Sequence, residues 1–399
     1  MKSTTEYIKQ AEVWGAHNYN PLPIVIEKGE GVWVYDMEGI KYMDMLSAYS
    51  SLNQGHRHPR IISSLLEQAG KVTITSRAFH NEKMGEFLEK LCKLSGFEKA
   101  LPMNTGSEAV ETALKAARKW AYKKNGIDEN NGEIIVCGNN FHGRTITIIS
   151  SSSEEQYKSG FGPYTPGFKI IEYGNADALR KAINKNTIAF MVEPIQGEGG
   201  VIVPPAGYLA EIREITRERN ILLIFDEIQT GFGRTGKMFA FEYEDAKPDI
   251  LTVGKALGGG VYPVSAVLAD CEVMDVFLPG DHGSTFGGNP LASAVAIAAM
   301  DVLIDEKLPQ RSMELGGYFM ESLKRINCKC IREIRGKGLM IGVEIKKEFG
   351  TARVYCEELM RRGILCKETH GQTIRFSPPL IITKEEIDWA LAIIKSVLL

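Results

Sequence analysis

With 399 residues, 44% of them apolar and 24% charged, the chain has room for two or three domains and a composition close to the average for soluble globular proteins. Lys and Arg number 47 against 50 Asp and Glu, and the net charge of −3 argues against nucleic acid or a membrane surface as an electrostatic partner. Forty glycines and 16 prolines, neither periodic, exclude collagen-like and disordered chains and point to an enzyme rich in tight turns.

Residues 1–14, MKSTTEYIKQAEVW, contain two Glu, no Arg and no apolar core. That is not the pattern of a secretory or organelle-targeting leader, so a cytoplasmic location is expected. Between residues 20 and 45, short β-type segments separated by KGEG and MEG predict a small meander. From about residue 60 to 300, strand-length apolar runs recur at 133–138, 145–150, 188–195, 221–228, 250–257 and 264–270, between helix-like segments such as 106–124 and 206–220. Runs apolar on both faces and spaced by crossover helices predict a mostly parallel sheet covered on both sides. The stretch Leu291–Met300 reads as a buried helix, too short to cross a bilayer.

Beyond it the chain becomes more charged. Strands within 338–345 and 372–380 mix with helices within 351–363 and 383–399, whose charged faces read as solvated surface. This predicts a smaller α+β domain, open to completion by the N-terminal meander, and the boundaries fall at 1–49, 50–298 and 299–399. The seven cysteines are odd in number and contain no CxxC pair, which indicates neither a disulfide framework nor a zinc ribbon and fits a reducing compartment. No metal is expected: His56 and His58 in GHRHP have no acidic cluster nearby and read as a structural turn.

In open α/β sheets, ligands bind outside the carboxyl ends of the strands, so the polar residues that end apolar runs are the candidates for chemistry. Asp226 follows ILLIF directly, and a carboxylate there is costly to bury without a cation or proton donor. Lys255 ends another run and precedes a glycine cluster that allows close approach of a ligand. NTGSEAVETAL opens a long helix whose free N–H groups at Gly106 and Ser107 form a ready phosphate site. Singly, each has an ordinary reading as a strand-end residue, a surface lysine or a helix cap. Together on one sheet edge they are what pyridoxal phosphate requires: a lysine for its aldehyde, an acid for its pyridine nitrogen and a cradle for its phosphate.

The chain resembles the class III (ω-amino acid) aminotransferases of the fold-type-I pyridoxal-phosphate superfamily over nearly its whole length. The matching blocks are NTGSEAVETALKAARKW, FHGRT, VEPIQGEGG, FDEIQTGFGRTG, VGKALGGG, HGSTFGGNP and RGKGLMIG. The resemblance implies an α/β fold with a large domain, its mostly parallel sheet between helices, and a smaller α+β C-terminal domain. It makes Lys255 the Schiff-base lysine and Asp226 the pyridinium partner. It sets Gln229 near the phenolic oxygen, Phe141 on the ring, and Gly106 with Ser107 at the phosphate. Thr285 matches a residue that reaches the phosphate from the other subunit, which implies a homodimer with shared active sites. His142, beside Phe141, reads either as a cofactor contact or as packing.

Within the class, GAHNYNPLPIVIEKGEGVWVYDMEG and LSAYSSLNQGHRHP carry Tyr19 and Tyr49 where members acting on ornithine have their substrate tyrosines. The implied substrates are ornithine and 2-oxoglutarate, with glutamate 5-semialdehyde and glutamate as products. Arg144 matches the arginine for ornithine's α-carboxylate, which a planar guanidinium can grip in two hydrogen bonds. Glu198 and Arg375 match a switch: paired, they mask the arginine while ornithine binds; parted, Arg375 takes the α-carboxylate of glutamate or 2-oxoglutarate. N-acetylornithine or another ω-amino acid is the rival substrate class. An aminomutase with the same Lys and Asp, and a non-catalytic cofactor-binding regulator, are the rivals of other kinds.

Overall fold

The computed structural model describes residues 2–399. Its centre is a seven-stranded sheet in the order 99–103, 265–269, 250–253, 222–226, 187–192, 133–137, 168–171. The five strands from 250–253 to 168–171 pair in parallel, and 265–269 runs antiparallel to both of its neighbours. The exception has a local cause. Parallel neighbours need a crossover helix, whereas the link from Val253 to Ser265 holds only a 3₁₀ turn at Lys255–Gly258, so the chain returns alongside itself.

Two of the sequence expectations change here. TITIIS is not a strand: Ile146–Ser150 form a short helix capped by Thr145, whose hydroxyl accepts from the Ile148 N–H at 3.3 Å. The capping threonine, and the hydroxyls of Ser150 and Ser151 donating to the carbonyls of Ile146 and Ile148, satisfy locally what a ladder would otherwise satisfy. The edge strand is instead Phe168–Ile171, four residues too short to register as a periodic run. The cysteines also differ from expectation, since Cys328 and Cys330 form a disulfide across one intervening residue while the other five are free.

Helix Gly106–Lys124 covers one face of the sheet with Ala109, Ala113, Ala116, Ala117 and Ala121, all buried. Their small side chains let the helix backbone lie close to the strands. Phe190, Leu223 and Phe225 face the other side, against the helices at 176–182 and 208–218. The predicted buried helix is Pro290–Asp305, with Asn289 as its cap, Pro290 in its first turn and 11 of its 16 residues buried.

The C-terminal region is a four-stranded antiparallel sheet, in the order 331–337, 340–345, 373–376, 367–369, packed with helices 308–324, 352–361 and 384–398. The N-terminal meander forms its own sheet from 26–30, 33–36 and 41–44, and its last strand recruits Ile364–Leu365 in parallel. Trp33 fixes the junction, donating to Glu386 at 2.9 Å and meeting Trp389 edge-on at 5.3 Å. Among the described residues, no helix is long and apolar enough to cross a membrane.

Candidate active site

Parallel strands deliver their carboxyl ends to one edge, so the residues after Val192, Phe225 and Val253 stand side by side there. Asp226 is buried and accepts three hydrogen bonds: from His142 Nδ1 at 2.7 Å, the Ile228 N–H at 3.1 Å and Thr252 Oγ1 at 3.2 Å. Three donors on one carboxylate fix its place and orientation. Burial pushes the His142 imidazole down, but the hydrogen bond to Asp226 and its charge outweigh this and raise it overall. His142 Nε2, with no hydrogen-bond partner, is the far end of a rigid Asp–His unit.

Lys255 follows the strand 250–253 with φ of +46°, a left-handed conformation that L-residues avoid and that concentrates at functional sites. Burial lowers its ammonium to about 8, against the partial compensation of Glu198 and Asp226. Among the described residues it makes no ion pair. A cavity of about 250 Å³ opens in front of it, bordered by Gly106, Ser107, Phe141 and Asp226. A Cβ at Gly143, where φ is +131°, would lie 2.3 Å from Ser107 Oγ, so only glycine lets the loop carrying Phe141 close over the helix start.

Glu193 was not among the residues expected from sequence. It ends the run IAFMV as Asp226 ends ILLIF, and that shared pattern was the available signal. Its carboxyl accepts from the Phe141 N–H at 2.9 Å and the Gly197 N–H at 3.2 Å, and burial raises it to about 7. One side chain thus ties the loop of Phe141 to the loop of Glu198.

Arg375 is 1% exposed and bonds Glu198 Oε1 through Nη1 at 2.5 Å, while its Nε and Nη2 are buried without a partner. Burial alone would raise the Glu198 carboxyl; the charges of Arg375 and Lys255 overcome it and hold it at about 2. Gln229 Nε2 reaches the same Glu198 oxygen at 3.3 Å, and a Cβ at Gly197 would fall 1.9 Å from Gln229 Oε1, so the contact depends on glycine. Arg144 is exposed, its guanidinium 3.8 Å above the Tyr157 ring and 5.4 Å from that of Phe141, and it pairs with no carboxylate among the described residues. Tyr19 and Tyr49 line a second cavity of about 390 Å³ that shares no lining residue with the first, and the Tyr49 ring stands 5.1 Å from the Arg375 guanidinium. Thr285 is exposed and borders neither cavity. His56 and His58 bond Asp44 and Glu306 respectively, each a single carboxylate.

A lysine with a lowered pKa, a buried carboxylate behind a cavity, a helix start beside it and an arginine with spare donors form a site for an amine, a phosphate and a carboxylate. Comparison with known proteins agrees with that chemistry. The model for Aminotransferase class-III matches residues 14–398. The chain belongs to the class-III aminotransferases. It is 63% identical to the ornithine aminotransferase of Brevibacillus brevis, over 100% of this chain and 99% of that one. It superposes on the ornithine aminotransferase of Toxoplasma gondii with a TM-score of 0.98 at 46% identity, covering 100% and 95% of the two chains. An acetylornithine aminotransferase from Elizabethkingia anophelis is similar too, with a TM-score of 0.91, 48% identity, and 100% and 99% coverage. The family's cofactor is pyridoxal phosphate, and the chain is an aminotransferase that uses it. The site fits that group: His142 Nε2 and Gln229 Oε1 are buried polar atoms without partners, and Lys255, Asp226 and the start of helix 106–124 border one cavity.

Proposed function

We propose that the chain moves the δ-amino group of L-ornithine to 2-oxoglutarate, giving glutamate 5-semialdehyde and glutamate in a two-stage cycle. The observation that carries this reading is Arg375, which is buried, tied to Glu198 through one nitrogen only, and left with two free donors. A masked arginine with spare donors suits a site that must refuse one α-carboxylate and accept another. Ornithine must present its δ-amine with its carboxylate far away, whereas glutamate presents its α-amine with the carboxylate near. Arg144, exposed and without an acidic partner among the described residues, would grip the distant carboxylate of ornithine, and Tyr19 and Tyr49 would receive its α-ammonium. The relatives named as ornithine aminotransferases support the same substrate.

Pyridoxal phosphate, when bound, supplies an aldehyde for the amine and a ring that draws electrons from the carbon losing its proton. Lys255 would hold it, and the lysine amine, its ammonium lowered to about 8 by burial, is the base that would move a proton there. Asp226, steadied by His142, would pair with its pyridine nitrogen and favour the charged form. Gly106 and Ser107 would hold its phosphate with their N–H groups, Phe141 would cover its ring, and Gln229 would bind its phenolic oxygen; all four line the same cavity. Thr285 of a second copy completes the phosphate site, so the working unit is a homodimer. Its exposed position, next to the half-exposed Phe286, supports this.

The similarity to an acetylornithine aminotransferase keeps one other substrate in view. An N-acetyl group removes the α-charge and adds bulk at the tyrosine end, so the site described favours the free amino acid. Single-turnover spectra with L-ornithine, N-acetylornithine and 4-aminobutyrate test this. Ornithine is expected to react fastest, and a preference for N-acetylornithine would refute the assignment.

A further inference from the structure

Asp44 and the GHRHP motif take no part in the chemistry above, yet they frame the most unusual backbone in the molecule. Ser47, Ala48, Tyr49 and Ser50 have φ of 50°, 46°, 59° and 69°, a left-handed turn made without glycine. Such residues are unfavourable one at a time, and four in succession persist only where their surroundings over-determine them. Asp44 supplies much of that constraint. Its Oδ1 accepts from the N–H groups of Leu46 at 2.9 Å and Ser47 at 2.8 Å, and its Oδ2 is held by His56 Nε2 at 2.8 Å.

His56 is itself fixed from behind. Its backbone pairs with Gly31, and a Cβ at Gly29 would fall 2.7 Å from its Nδ1, so the imidazole lies on bare backbone. The far ends of the segment are tied to the two working ends of the site. Ser47 Oγ donates to the carbonyl of Ser377, whose N–H returns to Met45 at 2.7 Å, two residues from Arg375. Gln54 donates to the carbonyl of Ala256 at 3.1 Å, next to Lys255. Between these ties the turn holds Tyr49 over Arg375.

We propose that Asp44 and His56 are positioning residues for substrate choice: the pair locks the left-handed turn so that Tyr49 shields Arg375 and lines the ornithine site. The proposal rests on the ornithine reading above. Its distinctive consequence is asymmetry between the two half-reactions. Loss of the lock frees Tyr49 to leave its place, which harms ornithine and spares glutamate, whose carboxylate needs Arg375 exposed.

The test measures both half-reactions by stopped-flow in Asp44→Ala, Asp44→Asn and His56→Ala holoenzymes, with cofactor absorption as a check on the site. In both alanine variants, kcat/KM for ornithine is expected to fall by about 10-fold or more, mainly through KM, with glutamate within about 3-fold of the parent and the spectrum unchanged. Asp44→Asn keeps an acceptor for the two N–H groups and should retain most of the ornithine rate. Ala48→Gly added to Asp44→Ala should recover part of it, since glycine takes positive φ freely. Equal losses in both halves, or no loss in either, would overturn the proposal; if Asp44→Ala does not fold, His56→Ala decides by the same split. A parent enzyme that prefers N-acetylornithine would instead overturn the reading underneath.

Discussion

Glu193, Asp226 and Lys255 stand at the ends of neighbouring strands, each fixed by the register of the sheet, whereas the side chains at the outer end of the site come from far apart in the chain. Tyr19 precedes the meander, Tyr49 lies on a strained turn, Arg144 on a loop and Arg375 in the antiparallel sheet near the C-terminus. In the strand-end group Glu193 and Asp226 are buried and hydrogen-bonded to neighbouring backbone; the outer group includes the exposed Tyr19 and Arg144. A rigid inner end suits a cofactor that stays in one place. An outer end assembled from several elements suits two substrates that must lie differently in one cavity.

Substitutions at the inner end should therefore damage both half-reactions, and those at the outer end only one. The largest effect is expected for Lys255→Ala, which should bind the cofactor noncovalently and lose at least about 10⁴-fold in turnover, the upper range for a positioned proton carrier. Normal turnover in that variant would remove the assignment. Asp226→Asn should fold normally and lose about 10²- to 10³-fold in both halves, as when a charge-stabilising group is removed. Activity within a few-fold of the parent would show that the ring does not need this acid.

Tyr19→Phe sharpens the contrast from the outer end. It should weaken discrimination between ornithine and N-acetylornithine by about 10-fold while sparing the 2-oxoglutarate half, the scale of one lost polar contact. The smallest effect concerns pH. Because burial lowers the Lys255 ammonium to about 8, the fraction of free amine rises most steeply around that pH and levels off above it. The rate at which the cofactor-free protein captures pyridoxal phosphate, followed by absorbance, should rise through pH 8 and plateau. A rise continuing toward pH 10 would mean that the amine is not buried as described.

The same contrast explains what could be read from sequence. Asp226 and Lys255 were legible because each ends a continuous apolar run, and Glu193 carried the same mark without being singled out. His142 was ambiguous because its partner lies 84 positions away and only the fold joins them. The run 145–150 misled because its apolar residues fit one helical turn as well as a strand, and Thr145 decided it by capping. The left-handed turn at 47–50 left no trace, since SAYS contains no glycine and its conformation is imposed by Asp44, His56 and Ser377. Tyr19, Tyr49, Arg144, Glu198 and Arg375 came from family resemblance rather than from pattern, as expected for groups that only tertiary structure brings together.

The central claim is that the pair Glu198–Arg375 sorts two carboxylates at one site, and the most direct measurement takes the two half-reactions separately in Glu198→Ala and Arg375→Ala. Removing Glu198 leaves Arg375 always available, so reaction with glutamate should quicken and ornithine should react more often through its α-amine, a change visible in the products. Removing Arg375 should mainly damage the glutamate and 2-oxoglutarate half, with ornithine largely spared. Equal losses in both halves for both variants would contradict the account and leave the pair as a fixed salt bridge that supports the cleft.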